Sequence, residues 1–122
     1  MKSFVAEVGA IPPASLRGNS RAHWAQKARD ARTWRTSGRW HGYVEGIAMR
    51  HVPRVSVHYA FHHWRKVDLD NLVIGMKSWL DGMVESEVIE SDDPDHLVLE
   101  APVFVKCQRG ESHTVVTVTE VA

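Results

Sequence analysis

Residues 68–83 read Asp68-Leu69-Asp70-Asn71-Leu72-Val73-Ile74-Gly75-Met76-Lys77-Ser78-Trp79-Leu80-Asp81-Gly82-Met83. At about 100° per residue, Leu72, Met76, Trp79 and Met83 fall on one narrow stripe flanked by Leu80, which predicts a helix with one buried face. Asp70, Lys77 and Asp81 share another side of the same helix. The helix is expected to begin at Asp70 or Asn71 and to run to about Ser86. A helix that buries one face and carries a lysine between two acids on another must pack on a sheet or a second helix.

The neighbouring stretches supply both. Residues 2–8 alternate loosely and read as a first strand, and Arg54 to Phe61 alternates well enough for a second. Pro12-Pro13 and Gly18-Asn19 mark the loop from Gly9 to Asn19. Ser20 is the expected cap of a long helix from about Arg21 to Met49, with Pro53 closing the helical region. Gly38, Gly42 and Gly46 fall four apart in it, which means either close approach of another element or a break near Gly38. Leu97 to Lys106 and Ser112 to Glu120 read as the last two strands, the second β-branched throughout Thr114–Thr119. Gln108 to Glu111 is the expected hairpin connection between them. The order β-α-β-α-β-β predicts an α+β (mixed α/β) fold, a sheet of about four strands with two helices packed on it, as a single domain over residues 1–122.

Composition narrows the class. A chain of 122 residues with 43% hydrophobic and 25% charged residues has the profile of an ordinary globular domain. One cysteine, Cys107, excludes an internal disulfide, and no membrane span or signal-peptide core is apparent, so a cytoplasmic protein is expected. The zero net charge conceals a division. Residues 1–66 hold 12 Lys+Arg against 3 Asp+Glu, a balance of +9, and residues 67–122 hold 3 against 12, a balance of −9. Two readings stand: a polyanion partner for the basic half, or halves that neutralise each other. Arg29, Arg32, Arg35 and Arg39 follow one side of the first helix, with Lys27, Trp24, Trp34 and Trp40 among them. Basic side chains interleaved with aromatics suit a phosphate backbone, and Arg17, Arg21, Arg65 and Lys66 extend the set.

The acids point to a metal. Clustered carboxylates repel unless a cation offsets them, and magnesium takes one or two carboxylates plus substrate phosphate. Asp68 and Asp70 project the same way if the backbone is extended there, and Asp92 or Asp93 returns after the helix to complete the site. Lys77 is placed to stabilise charge on a phosphate. His58, His62 and His63 lack the partners of a closed zinc site. The reaction class these groups fit is metal-assisted phosphodiester hydrolysis, with magnesium, or alternatively manganese, as cofactor.

These residues resemble the RusA family of Holliday-junction resolvases, small phage and prophage endonucleases. The resemblance is carried by Pro12-Pro13 with a following Asn19, the basic helix, Asp68-Leu69-Asp70-Asn71, Lys77-x-x-x-Asp81-Gly82, Asp92-Asp93 and two closing strands. It implies a magnesium-dependent homodimer that nicks four-way DNA junctions symmetrically, in a bacterial or phage-infected cell. Its catalytic acids would be Asp68, Asp70 and Asp93, with Asp92 the alternative third ligand. The family lysine lies four residues after the second acid, where this chain has Ile74. Lys77, three residues on, keeps the spacing to Asp81, as in a helix lengthened by nearly one turn. Two other readings compete: a nuclease acting on other branched DNA, and a DNA-binding protein without catalysis.

Overall fold

A computed structural model describes residues 1–122. The elements in chain order are β1 (Ser3–Val8), α1 (Trp24–Glu45), β2 (Val55–His63), α2 (Leu69–Gly75), α3 (Lys77–Glu85), β3 (Leu97–Leu99), β4 (Val103–Lys106) and β5 (His113–Glu120). Single helical turns at Ala14–Leu16 and Ile47–Met49 flank α1. The fold is the expected α+β arrangement, but the sheet has five strands. The segment expected as one strand over Leu97–Lys106 is two, parted around Ala101-Pro102, because proline cannot donate to a ladder.

The strand order is β1-β5-β2, with β3 and β4 end to end along the far edge of β2. β5 runs antiparallel to both β1 and β2, whereas β3 and β4 run parallel to β2. The expected hairpin between the last two strands is therefore absent. Its turn forms, with Glu111 N–H donating to the Gln108 carbonyl at 3.1 Å and Gly110 at φ +92°, but it carries the chain across β2 to the other side. β5 can sit centrally because its alternation buries Thr114, Val116 and Val118 on one face. The parallel pairing of β2 with β3 and β4 needs a crossover, and α2 with α3 supplies it.

The buried face of the sheet presents Ala6, Val8, Val55, Val57, Tyr59, Phe61, Val116 and Val118 to the helices. From the other side come Leu72, Met76, Trp79 and Met83, all fully buried, and Leu80, 6% exposed, as the periodicity requires. Asp68 caps this helix, one or two residues earlier than expected, with Oδ1 accepting from Asp70 N–H at 2.9 Å. The helix then comes in two segments, because a tight turn at Met76 lets its N–H donate to the Val73 carbonyl at 3.0 Å. α1 begins at Trp24, capped by His23 Nδ1, which accepts from Ala25 N–H at 3.2 Å. Ser20 instead closes a turn onto Ala22.

α1 does not break at Gly38. It crosses α3 there, backbone against backbone. A Cβ on Gly38 would strike the Trp79 carbonyl oxygen, and a Cβ on Gly82 would strike that of Arg35. Gly42 similarly makes room for Ser86, and the Trp79 indole N–H donates to Ser37 Oγ at 3.2 Å. This crossing fixes α3, and with it the position of Lys77 at its first turn.

Candidate functional site

Ligands of sheets that contain parallel strands tend to lie outside the strands' carboxyl ends. β2 and β4 are such a pair, with Phe61 opposite Phe104 and His63 opposite Lys106. Immediately beyond their carboxyl ends is an open hollow of about 820 Å³, walled by residues 64–70 together with Phe104 and Lys106. Asp68 and Asp70 both border it, on the last residue before α2 and in its first turn. The backbone is already helical at Asp70, so the two acids do not share an extended stretch as expected. The cap at Asp68 brings them to one hollow instead. Arg65, Lys66 and Lys106 line the same space, and none of them forms an ion pair within the chain.

The acids after the helix divide. Asp92 and Asp81 both ion-pair with Lys77, the latter at 2.9 Å. The Asp92 carboxylate is the chief reason the ammonium pKa is raised, and Lys77 in turn holds the Asp92 carboxyl below its usual range. Asp93 faces its own loop. Its Oδ2 accepts from Ser91 Oγ at 2.8 Å, and its Oδ1 accepts from Asp95 N–H at 2.9 Å and meets His96 Nδ1 at 2.8 Å. These local bonds occupy both oxygens of Asp93, and those to Ser91 and His96 lower its pKa.

That pair gives a pH prediction. The His96 imidazole is raised above its ordinary value by Asp93, so its stabilisation is complete below the unfolded-state imidazole pKa of about 6.5 and is lost as pH rises through the higher folded value. The lowered Asp93 contributes above the unfolded carboxylate value and is lost as pH falls through its depressed one. The loop is thus held between those two limits. His62 and His63 shift the opposite way, mainly by burial. An NMR titration is expected to find His96 titrating last of the three as pH rises; His96 titrating with or before His63 would show that Asp93 does not hold it.

Scans of protein-family models and of curated proteins find no match for the chain. The reading of the site therefore rests on its residues. No three carboxylate, imidazole or thiol groups converge as a preformed metal cage. Magnesium does not need one, since one or two carboxylates with waters and a phosphate suffice. The fit is of that kind: Asp68 and Asp70, hard oxygen donors, stand in a hollow whose other charged groups would receive phosphate.

The basic residues of the first half take different places. Arg17 donates from Nε to the Pro12 carbonyl at 3.0 Å. Its guanidinium pKa is lowered first by burial and then by the charge of Arg65. The His63 pKa is lowered first by burial and then by the charges of the same two arginines, and its Nδ1 bonds to Ser112 Oγ at 2.7 Å. The loop bearing Arg17 ties α1 to the hollow: Ser15 bonds to Asp30 in α1, and Gly18 N–H donates to the Asn71 carbonyl at 3.2 Å. Arg21, just before α1, and Lys27, Arg29 and Arg32 on it have no acidic partner, although Lys27 reaches the Ser20 carbonyl and Arg29 reaches Gln26. Arg35 and Arg39 both pair with Glu85, at 3.6 and 3.5 Å, and so serve the helix crossing. Trp34 is buried, whereas Trp24 and Trp40 are exposed.

Three residues of the hollow escape a sequence reading: Trp64, Phe104 and Lys106. Their meaning depends on the register between β2 and β4, which no local pattern specifies.

Proposed function

We propose that the chain is a metal-dependent endonuclease that resolves four-way DNA junctions by paired nicking as a homodimer. The observation that carries this reading is the hollow beyond β2 and β4, where Asp68 and Asp70 stand beside Arg65, Lys66 and Lys106. Asp68 and Asp70 would hold magnesium, or manganese in its place, with the third acid drawn from the Asp92-Asp93 pair. Neither lines the hollow, and each would have to leave its partners to reach the ion; Asp92 is favoured because it has only Lys77 to give up, while Asp93 is held by Ser91, Asp95 and His96. When bound, such an ion polarises a phosphoryl oxygen and lowers the pKa of the attacking water. Lys77, kept charged by Asp92 and Asp81, would meet negative charge on the phosphate once the ion draws Asp92 away from it. Lys66, Lys106 and the Arg17–Arg65 pair would anchor the neighbouring phosphates.

The dimer belongs to the same proposal. Two copies related by a two-fold axis would offer two hollows to two strands. Trp40, Tyr43, Val44 and Ile47, more than half exposed at the end of α1, provide apolar surface for a second copy.

The test is incubation of the purified chain with a four-way junction, a flap and a plain duplex, with and without magnesium. Paired nicks confined to the junction and dependent on magnesium are expected. Equal cutting of the flap would favour the broader branched-DNA nuclease, and binding without cleavage of any substrate would leave a DNA-binding protein.

Binding should also separate the arginines. Every phosphate that a variant no longer neutralises lowers the slope of log affinity against log salt by about 0.9. Replacing Arg29 and Arg32 together by glutamine is expected to reduce that slope by about 2. Arg35→Gln should hardly change it and should cost less than about 1 kcal/mol of stability, since its pairing with Glu85 is solvent-exposed. Equal slopes for the parent and the Arg29/Arg32 variant would remove that face of α1 from the interface.

A further inference from the structure

A site for metal and phosphate needs only polar groups, yet four of the nine residues lining the hollow are hydrophobic, two of them the aromatics Trp64 and Phe104. Both rings are only half-buried, unlike Trp79, which the core encloses completely. The guanidinium carbons of Arg65 and Arg109 lie over the Trp64 ring, each 5.1 Å from its centre. Neither arginine has a carboxylate partner to hold it there. A guanidinium over a ring that is still half open to water is weakly held, and a nucleobase stacks on the same surface more strongly. An incoming base can therefore take a guanidinium's place and leave the arginine free for a phosphate. Lys66 and Lys106 already line the same space.

We propose that the hollow receives one unstacked nucleotide, its base against Trp64 and Phe104 and its phosphate toward Lys66 and Lys106, beside Asp68 and Asp70. This deepens the nuclease reading and rests on it for the role of the two acids. It also supplies a physical reason for preferring branched DNA. In a continuous duplex every base is stacked on both sides and must be pulled out at a cost, whereas at a branch or bulge that stacking is already broken. Trp64 and Phe104 are then specificity-determining residues, selecting a substrate by a free base and not by its sequence, since every base offers a π-face.

The test uses the full chain in EDTA and measures binding to a duplex carrying one bulged nucleotide, either intact or abasic. The parent is expected to bind the intact bulge about tenfold or more tighter. Trp64→Leu should erase that preference while still binding both duplexes, and Trp64→Phe should keep most of it. Equal affinity of the parent for the two bulges overturns the proposal. So does an equal loss on both in Trp64→Leu, which would make Trp64 a support for Arg65 and Arg109. Displacement of the intact bulge by micromolar deoxyadenosine monophosphate would overturn it too, in favour of a free-nucleotide site. Cleavage after adding magnesium is scored separately. Base preference without cleavage keeps the pocket and removes the nuclease, and cleavage without base preference does the reverse.

Discussion

Gly38→Ala is expected to destabilise the protein by about 3 kcal/mol or more, near the upper end for overpacking. In an open helix the same change would stabilise by about 1 kcal/mol, because alanine is the better helix former. The sign of the effect therefore reports whether α1 and α3 touch at this point. The added methyl would meet the carbonyl oxygen of Trp79, a backbone atom inside a helix that cannot swing away like a side-chain tip. Gly82→Ala should behave alike, since its methyl would meet the Arg35 carbonyl oxygen and come within 2.6 Å of the Arg39 nitrogen. Gly9 is the control. Nothing lies within 4 Å of a Cβ there, and Gly9→Ala should change stability by less than about 0.5 kcal/mol. Urea unfolding reads all three, with the midpoint shifted and the slope unchanged. A Gly38→Ala midpoint at or above the parent's would mean that the helices do not cross where these glycines lie. Against a typical total of about 5–15 kcal/mol, a loss of this size leaves the chain mostly folded at 25 °C but brings the least stable of such domains to within about 2 kcal/mol of unfolding.

The same glycines show where sequence is informative. Their four-residue spacing marks a seam or a break, and only the partner helix decides between the two. The stripe of Leu72, Met76, Trp79 and Met83 was legible because helical periodicity is local, and all four are fully buried. The strand over Thr114–Thr119 was legible for the same reason, but its place between β1 and β2 was not, because pairing across a sheet is a non-local choice. Asp68 and Asp70 could be singled out by charge, yet their common hollow follows from a helix that starts one or two residues earlier than expected and from strands that end beside it. The division of labour between Asp92 and Asp93 had a partial signal. Asp93 accepts from the Asp95 N–H two residues on, the local turn that an aspartate in a polar loop commonly closes.

Asp70→Asn is expected to lower magnesium-dependent junction cleavage by at least about 100-fold, comparable with the loss of a group that stabilises transition-state charge. The substitution removes charge at nearly constant shape. Asp70 is exposed in the first turn of α2, so neutralising it forfeits about 0.3–1 kcal/mol of favourable interaction with the helix N-terminus and should leave the fold intact. Asp68→Asn is a matched partner. Asparagine caps a helix about as well as aspartate, so α2 keeps its start while the hollow loses a second carboxylate charge. DNA binding without metal should hold or tighten in both variants, because each removes negative charge from a space that would receive phosphate. Asp93→Asn should cost little cleavage, because its carboxylate serves Ser91, Asp95 and His96, but it should bring the His96 imidazole back toward its ordinary pKa. Initial-rate assays on a four-way junction across a range of magnesium concentrations test these together. Should Asp70→Asn cut as fast as the parent at every magnesium concentration, the carboxylates of the hollow are not metal ligands. A large loss in Asp93→Asn with His96 undisturbed would move the third ligand from Asp92 to Asp93.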